Sequence, residues 1–330
     1  MIFRNILFIS YSVILMGCNF SNQPKIESKK TSPSLQLGDL QKCKIYSGIP
    51  KNWLKDPHAG MVWIPNGSFE LGSQRAYPDE INFGEKERSI QGFWMSQMET
   101  TVAQFQTFVE KTHYITDAEK QNQAAVFSPD PSQPQQWWHL KAGYNWKTPY
   151  GQNGRKPLPS EPVRYITKND AEHYAAWLNH NLPSELEWEY AAKAGNKTDT
   201  ELHHEPLNTK QQPLANYWQG EFPFQNLKKD HFEDVAPVGC YEANSFNLYD
   251  MIGNVWEWTT SPYTGAHDQH MGNYQNLRHQ DFHAQQFVIK GGSFLCANNY
   301  CARFRASARH PQELDLATSH VGFRTILRDQ

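Results

Sequence analysis

The chain lacks an excess of either charge. Its 31 Lys and Arg stand against 34 Asp and Glu, for a formal net charge of −3. That balance gives no electrostatic footprint for nucleic acid. Long apolar runs are also scarce. The run Ile6–Met16 is too short to span a bilayer as a mature helix. No H-E-x-x-H metalloprotease motif and no C-x-x-C redox motif occurs. Cysteine is rare, at five in 330 residues. What is present is 38% hydrophobic and 13% aromatic, with twenty Gly, twenty Pro and eleven Trp. This composition suits one large domain plus a tail, rich in turns and aromatic-packed loops.

The apolar run follows Arg4 and has a signal-peptide layout. It ends Leu15-Met16-Gly17-Cys18, which resembles a bacterial lipobox with Met at the −2 position. Residues 1–18 are therefore expected to be a lipoprotein signal, with Cys18 lipidated and the body exported on the periplasmic side. An ordinary signal peptide with an incidental cysteine is the alternative. Residues 19–57 are polar, with Lys, Ser and Pro, and read as a flexible tether. Residues 58–330 form the expected domain.

The most informative stretch is Gly291-Gly292-Ser293-Phe294-Leu295-Cys296, followed by Cys301, Arg303, Arg305 and Arg309. Positions five apart point to opposite faces of a strand and lie about 140° apart on a helix. The two thiols can meet only through a bend, and Ala297-Asn298-Asn299 is turn material. The expectation is a strand up to Phe294, a thiol loop, and a strand bearing Arg303 and Arg305 on one face. A buried pair, a local disulfide, or a soft two-coordinate site for Cu(I) all fit. Zinc fits poorly, since no second cysteine pair follows.

Elsewhere, Met61–Gly72 reads as a hairpin turning at Asn66-Gly67. Phe93–Met98 reads as a strand. Thr100 or Thr101 caps a helix with Val102, Phe105, Phe108 and Val109 on one face. Glu99 precedes it, and from spacing alone is a surface carboxylate. Asn169–Asn179 is a second helix. Ser184 and Glu187 form a capping box for a third, which Gly195 stops. Glu185, Glu187 and Glu189 on that helix suit capping and pairing with arginines better than acid catalysis. Trp137, Trp138 and Trp146 are core residues or groove residues with equal weight. His267–Phe287, with His267, His270, His279 and His283, reads as a polar insertion.

Together these motifs resemble the formylglycine-generating enzymes (sulfatase-modifying factors), from about Met61 to Arg328. The carriers are Met61-Val-Trp-Ile-Pro, Leu182-Pro-Ser-Glu-Leu-Glu-Trp-Glu-Tyr, Asn247-Leu-Tyr-Asp250-Met-Ile-Gly253-Asn-Val255-Trp-Glu257, the Cys296 to Arg305 segment, and Gly322-Phe323-Arg324. The resemblance implies an α+β, C-type-lectin-like fold with low regular secondary-structure content. It implies O2-dependent oxidation of a cysteine, within a Cys-x-Pro-x-Arg segment of an unfolded sulfatase, to Cα-formylglycine. Cys296 and Cys301 would hold Cu(I), with Ser293, Trp256 and Tyr300 near the reacting thiol. It implies two Ca2+ sites. One uses Asn216, Tyr217, Asp230 and Phe232; the other uses Asp250, Gly253, Val255 and Glu257. Glu99 then matches a family acid. If the last two cysteines bind metal, Cys43 and Cys240 are left as a pair. Ala297 stands where relatives often have His, and Gln123 where they tend to have an acid. A non-catalytic, lipid-anchored envelope module of the same fold is the alternative. The iron sulfoxide-synthase branch would need a His-x3-His-x-Glu motif that is absent.

Overall fold

The computed structural model describes residues 37–328 apart from 83, 85–86, 134, 197–202, 266 and 268–284. Cys18 and the signal segment lie outside the described residues, as do His270, His279 and His283. The tether expected through residue 57 gives way to folded chain from Leu37. Helix α1 (Leu40–Ile45) is capped by Asp39, and its Cys43 is buried in a disulfide with Cys240. Burial of Leu37 and of Cys43 outweighs the polar composition that suggested disorder. A crosslink between positions 197 apart in sequence contributes about 2–4 kcal/mol, mostly by restricting the unfolded chain.

Strand β1 (Met61–Ile64) is followed by β2 (Gly67–Glu70), β3 (Glu87–Ile90) and β4 (Phe93–Ser96). The expected Asn66-Gly67 hairpin does not form. β1 pairs with β4, whereas β2 pairs with β3. Pro65 lacks the N–H that would continue a ladder. Gly67 passes so close to Tyr190 that a Cβ there would lie 2.4 Å from the phenol oxygen. The chain thus crosses from one sheet to another.

Helix α2 (Val102–Thr112) starts at a Thr101–Gln104 capping box and buries Val102, Phe105 and Phe108. Full burial of each such Phe is worth about 1.5–3 kcal/mol. Helix α3 (Asp117–Gln121) leads into the β5 (Gln123–Phe127) and β6 (Trp138–Ala142) ribbon. Helix α4 (Lys168–Trp177) and helix α5 (Glu185–Lys193) are both capped as boxes. α5 ends one residue before the expected stop, with Ala194 itself in the left-handed region at φ 47°. Strands β7 (Trp256–Pro262), β8 (Gln286–Lys290), β9 (Arg309–Glu313) and β10 (Val321–Gly322) form one sheet in the order β10-β7-β8-β9. Strand β11 (Ile326–Leu327) joins β4. β8 thus begins within the stretch expected to be an insertion.

Two expectations about the C-terminal segment change. β8 ends at Lys290 rather than Phe294, and Arg303 and Arg305 lie outside any strand. Gly291 and Gly292 turn the chain out of the sheet with φ of 92° and 79°. A Cβ on Gly292 would meet the Arg303 carbonyl at 2.2 Å, so only glycine allows the two limbs of the loop to touch. Among the described residues, no helix is long and apolar enough to cross a membrane.

Candidate active site

The turn out of β8 brings the two cysteines together. Cys296 N–H donates to the Ser293 carbonyl at 2.9 Å, closing one turn. The Ala297 carbonyl then accepts from Tyr300 N–H at 3.2 Å and Cys301 N–H at 3.0 Å. One helical turn therefore spans the cysteines. Their sulfurs lie 3.6 Å apart, and neither is in a disulfide. Cys296 is buried and Cys301 half-buried.

Neighbouring loops hold this turn from beneath. Trp218 N–H donates to the Cys296 carbonyl at 2.9 Å, and Phe294 N–H to the Asn254 carbonyl at 2.9 Å. The Asn254 side chain donates to Glu99 at 2.7 Å. Around the turn, each arginine meets a carboxylate remote in sequence. Arg303 takes both oxygens of Asp79, at 2.8 and 3.0 Å, and Arg305 pairs with Glu80. Arg309 grips Glu185 at 2.8 and 3.0 Å. Asp79 and Glu80 are functional neighbours that sequence reading missed, for no local pattern links them to the cysteines.

Both thiols open on a cavity of about 280 Å³ lined by Trp138, Trp256, Ser293, Tyr300, His310 and His320, among others. Sequence reasoning missed both histidines. His310 stacks on Trp256 with ring centroids 5.8 Å apart. Burial, then His310 and Arg164, push the His320 pKa down to about 3, so its ring is neutral at pH 7. Burial opposes ionisation of Cys296. The Cys301 thiol, the Ser293 N–H and the Arg303 charge overcome this and lower its pKa. Cys301 is held well above the usual thiol range by its bond from Cys296 and by burial. The pair thus gives up its first proton from Cys296. The tryptophans divide: Trp146 is core, whereas Trp138 lines the cavity and Trp137 packs edge-on against Tyr300. Ala297 is fully buried against Trp218 and Phe294 and Gln123 is exposed at the start of β5. Neither lines the thiol cavity.

The candidate calcium residues also converge. Asp230 accepts from Tyr217 N–H at 3.2 Å and Phe232 N–H at 3.0 Å. The Gln219 amide, unforeseen from sequence, lies between the Tyr217 carbonyl and the Asp230 carboxylate. Asn216 bonds Asn254 at 3.0 Å and so joins this loop to the next. In that next loop, Glu257 is chelated by Arg324 at 2.7 and 2.6 Å and Asp250 accepts from Gly239 N–H at 2.6 Å. Gly253 packs on the Asn216 backbone, where a Cβ would lie 2.2 Å from the carbonyl oxygen. Val255 N–H donates to Glu99 at 3.2 Å. Glu99 is buried, not a surface carboxylate. Three carboxylates here act on one another's ionisation and face the single guanidinium of Arg324. A second acidic group, Glu185 and Glu189 with His267, is already neutralised. Lys290 and Lys193 each lie 2.9 Å from Glu189, and Arg309 is on Glu185.

A lectin-like α+β scaffold that carries a free dithiol on a glycine-hinged turn defines the class of protein. The chain belongs to the sulfatase-modifying factor family: the sulfatase-modifying factor enzyme 1-like domain matches residues 47–329. It is 36% identical to the formylglycine-generating enzyme of Mycobacterium tuberculosis over 293 residues, covering 81% of this chain and 97% of that one. It is 31% identical to the inactive Cα-formylglycine-generating enzyme 2 of Bos taurus over 280 residues, 80% and 86% of the two chains. The fold is shared with the solved structure of PvdO from Pseudomonas aeruginosa, at TM-score 0.57 and 20% identity, over 82% of this chain and 95% of that one.

The acid cluster generates a pH dependence. Burial raises Asp250 to about 6. Burial and the charges of Asp250 and Glu257 raise Glu99 well above the carboxylate range. A carboxyl with a raised folded pKa holds more protons folded than unfolded, so its contribution is full below about pH 4 and is lost as pH rises through about 6. In chelator, this cluster should lower the melting temperature between about pH 5 and about pH 7.5. Asp250→Asn, which keeps an acceptor for Gly239 N–H, should flatten that fall. An identical slope in the variant would remove the cluster from the account.

Proposed function

We propose that this protein oxidises the cysteine of a Cys-x-Pro-x-Arg segment, in an unfolded sulfatase or similar client, to Cα-formylglycine. One observation carries the reading. Cys296 and Cys301 remain free thiols 3.6 Å apart on a cavity, while Cys43 and Cys240 of the same chain are oxidised. Two sulfurs with nothing else in their donor set fit Cu(I), a soft ion of low coordination number. Cys296 and Cys301 would hold it, and the chemistry it supplies is activation of O2 beside the substrate thiolate.

The chain's own residues do the rest. Cys296 ionises first, favoured by Ser293 N–H at 3.4 Å and by Arg303. Ser293 orients the turn, its hydroxyl accepting Leu295 N–H at 3.3 Å. Trp256 and Leu295 form an apolar wall that excludes water from the reacting thiol. Tyr300, exposed at the rim, stands where a peptide enters. The rival reading, a non-catalytic envelope module, leaves a convergent free dithiol without a purpose.

The test is a copper-loaded preparation, O2 and a Cys-x-Pro-x-Arg peptide. Conversion of the CH2SH side chain to an aldehyde, read by mass and hydrazide capture, is the expected result. Cys296→Ser and Cys301→Ser should each abolish it, since one thiolate does not define the site. Wild type that neither binds Cu(I) nor converts any such peptide would leave the non-catalytic module.

Calcium is part of the proposal. The uncompensated negative charge of Glu99, Asp250 and Glu257 beside Arg324 suits a hard divalent cation with oxygen ligands. Asn216, Tyr217, Asp230 and Phe232 supply the second expected set. Saturation at about 100 times Kd adds roughly 2.7 kcal/mol. Chelation should therefore lower the melting temperature at neutral pH, and Asp250→Ala should remove that sensitivity. A melting curve indifferent to chelator would count against both sites.

Export and anchoring complete the reading. The apolar run ending Leu15-Met16-Gly17-Cys18 motivates lipidation at Cys18, and the Cys43–Cys240 disulfide is in keeping with an oxidising compartment. The mature protein from a bacterial host should carry a diacylglyceryl group on Cys18 by intact mass. A product cleaved elsewhere and unmodified would rule this out.

A further inference from the structure

We propose that the rim of the thiol cavity carries a guanidinium subsite, built from the Tyr300–Phe222 aromatic stack and the Glu221 carboxylate, which takes the arginine side chain of the peptide substrate. The inference rests on the reading of the cavity as a peptide-cysteine site.

Tyr300 and Phe222 both line the cavity. Their rings stack with centroids 4.6 Å apart and planes within 5°. Trp137 stands edge-on to both, at 4.9 and 5.3 Å, and fixes the stack from the side. One face of Tyr300 is thus covered by Phe222, yet the residue is 54% exposed. A large aromatic ring held rigid and open to solvent is a platform for a flat cation.

A carboxylate stands one residue along from the stack. Glu221 precedes Phe222, and Asn299 precedes Tyr300. The Asn299 amide donates to Glu221 Oε2 at 3.0 Å and ties the two loops together at that level. Glu221 is exposed, and no cation pairs with it among the described residues. Other acids near the cavity are committed. Asp79 and Glu80 are held by Arg303 and Arg305, and Glu313 accepts from Gln286 at 3.0 Å. Gln123 carries no charge and does not line the cavity. An aromatic plane with a free carboxylate at its edge matches guanidinium, which stacks through its face while its N–H groups meet carboxylate oxygens. An ammonium group gains less, having no face to stack.

The experiment measures binding without turnover. Labelled Cys-x-Pro-x-Arg peptide is titrated anaerobically against wild type and Glu221→Gln, along with peptides in which Lys or Leu replaces Arg. Wild type should prefer Arg to Leu by about tenfold, as a charge-assisted contact predicts, with Lys between. Glu221→Gln should erase most of that preference and leave the Leu peptide unchanged. The preference should also weaken at high salt. If Glu221→Gln weakens Arg and Leu peptides equally, the subsite is wrong and the cysteine-oxidation reading stands. If wild type binds and converts no cysteine peptide, both fall. Circular dichroism and the melting temperature of Glu221→Gln exclude a folding defect, which the exposed position does not predict.

Discussion

Buried charge pairing is the constraint on which this structure depends. The thiol turn sits in a region with few ladder hydrogen bonds, and its position is set instead by cations clasped from far away in sequence. Arg303 and Arg305 reach Asp79 and Glu80, Arg309 reaches Glu185, and Lys290 reaches Glu189. Such pairs contribute little net stability over apolar packing, because both ions lose their water. Removing one partner, however, leaves an uncompensated buried charge and is costly. The pairs therefore specify one geometry. They hold the Cys296–Cys301 turn rigid enough to keep two thiols 3.6 Å apart without closing them into a disulfide.

A second layer of polar contacts connects the turn to the rest of the chain. Asn254 joins Glu99, Asn216 and Phe294 in one run of hydrogen bonds. The loops that carry the candidate calcium residues are therefore the loops that support the cysteines. In physical terms, a cation in those loops would act on the site through loop rigidity, since irregular backbone has no ladder of its own to satisfy it. The same arrangement explains the surplus of buried carboxylate around Arg324. Without a further cation the cluster carries protons, and with one it would carry none.

The rim serves a different purpose from the floor. Trp256, Leu295 and Cys296 are buried, whereas Tyr300 and Trp138 are exposed. An apolar floor strengthens the electrostatics of a reacting thiolate, while an aromatic rim gives an extended peptide a surface to lie on. The departures at Ala297 and Gln123 fall outside this cavity. Ala297 is packed inward against Trp218 because its backbone bridges that residue.

The sequence by itself determined the parts governed by local rules. The capped helices over Val102–Thr112 and Glu185–Lys193 follow from Thr101, Gln104, Ser184 and Glu187, since a capping box is satisfied within four residues. The need for a bend between Cys296 and Cys301 follows from the geometry of helix and strand, and the motifs around Asp250 and Cys296 carried the family. Tertiary structure decided everything that required a partner distant in the chain. Asn66-Gly67 looked like a hairpin turn, but β1 found β4 and β2 found β3, because pairing energy depends on what each face can bury. Glu99 looked like a surface acid until the fold enclosed it. Polar residues 37–57 looked like tether until Cys43 met Cys240. His310 and His320 carried no signal at all, since only the order β10-β7-β8-β9 places them on either side of Trp256 and beside the thiols.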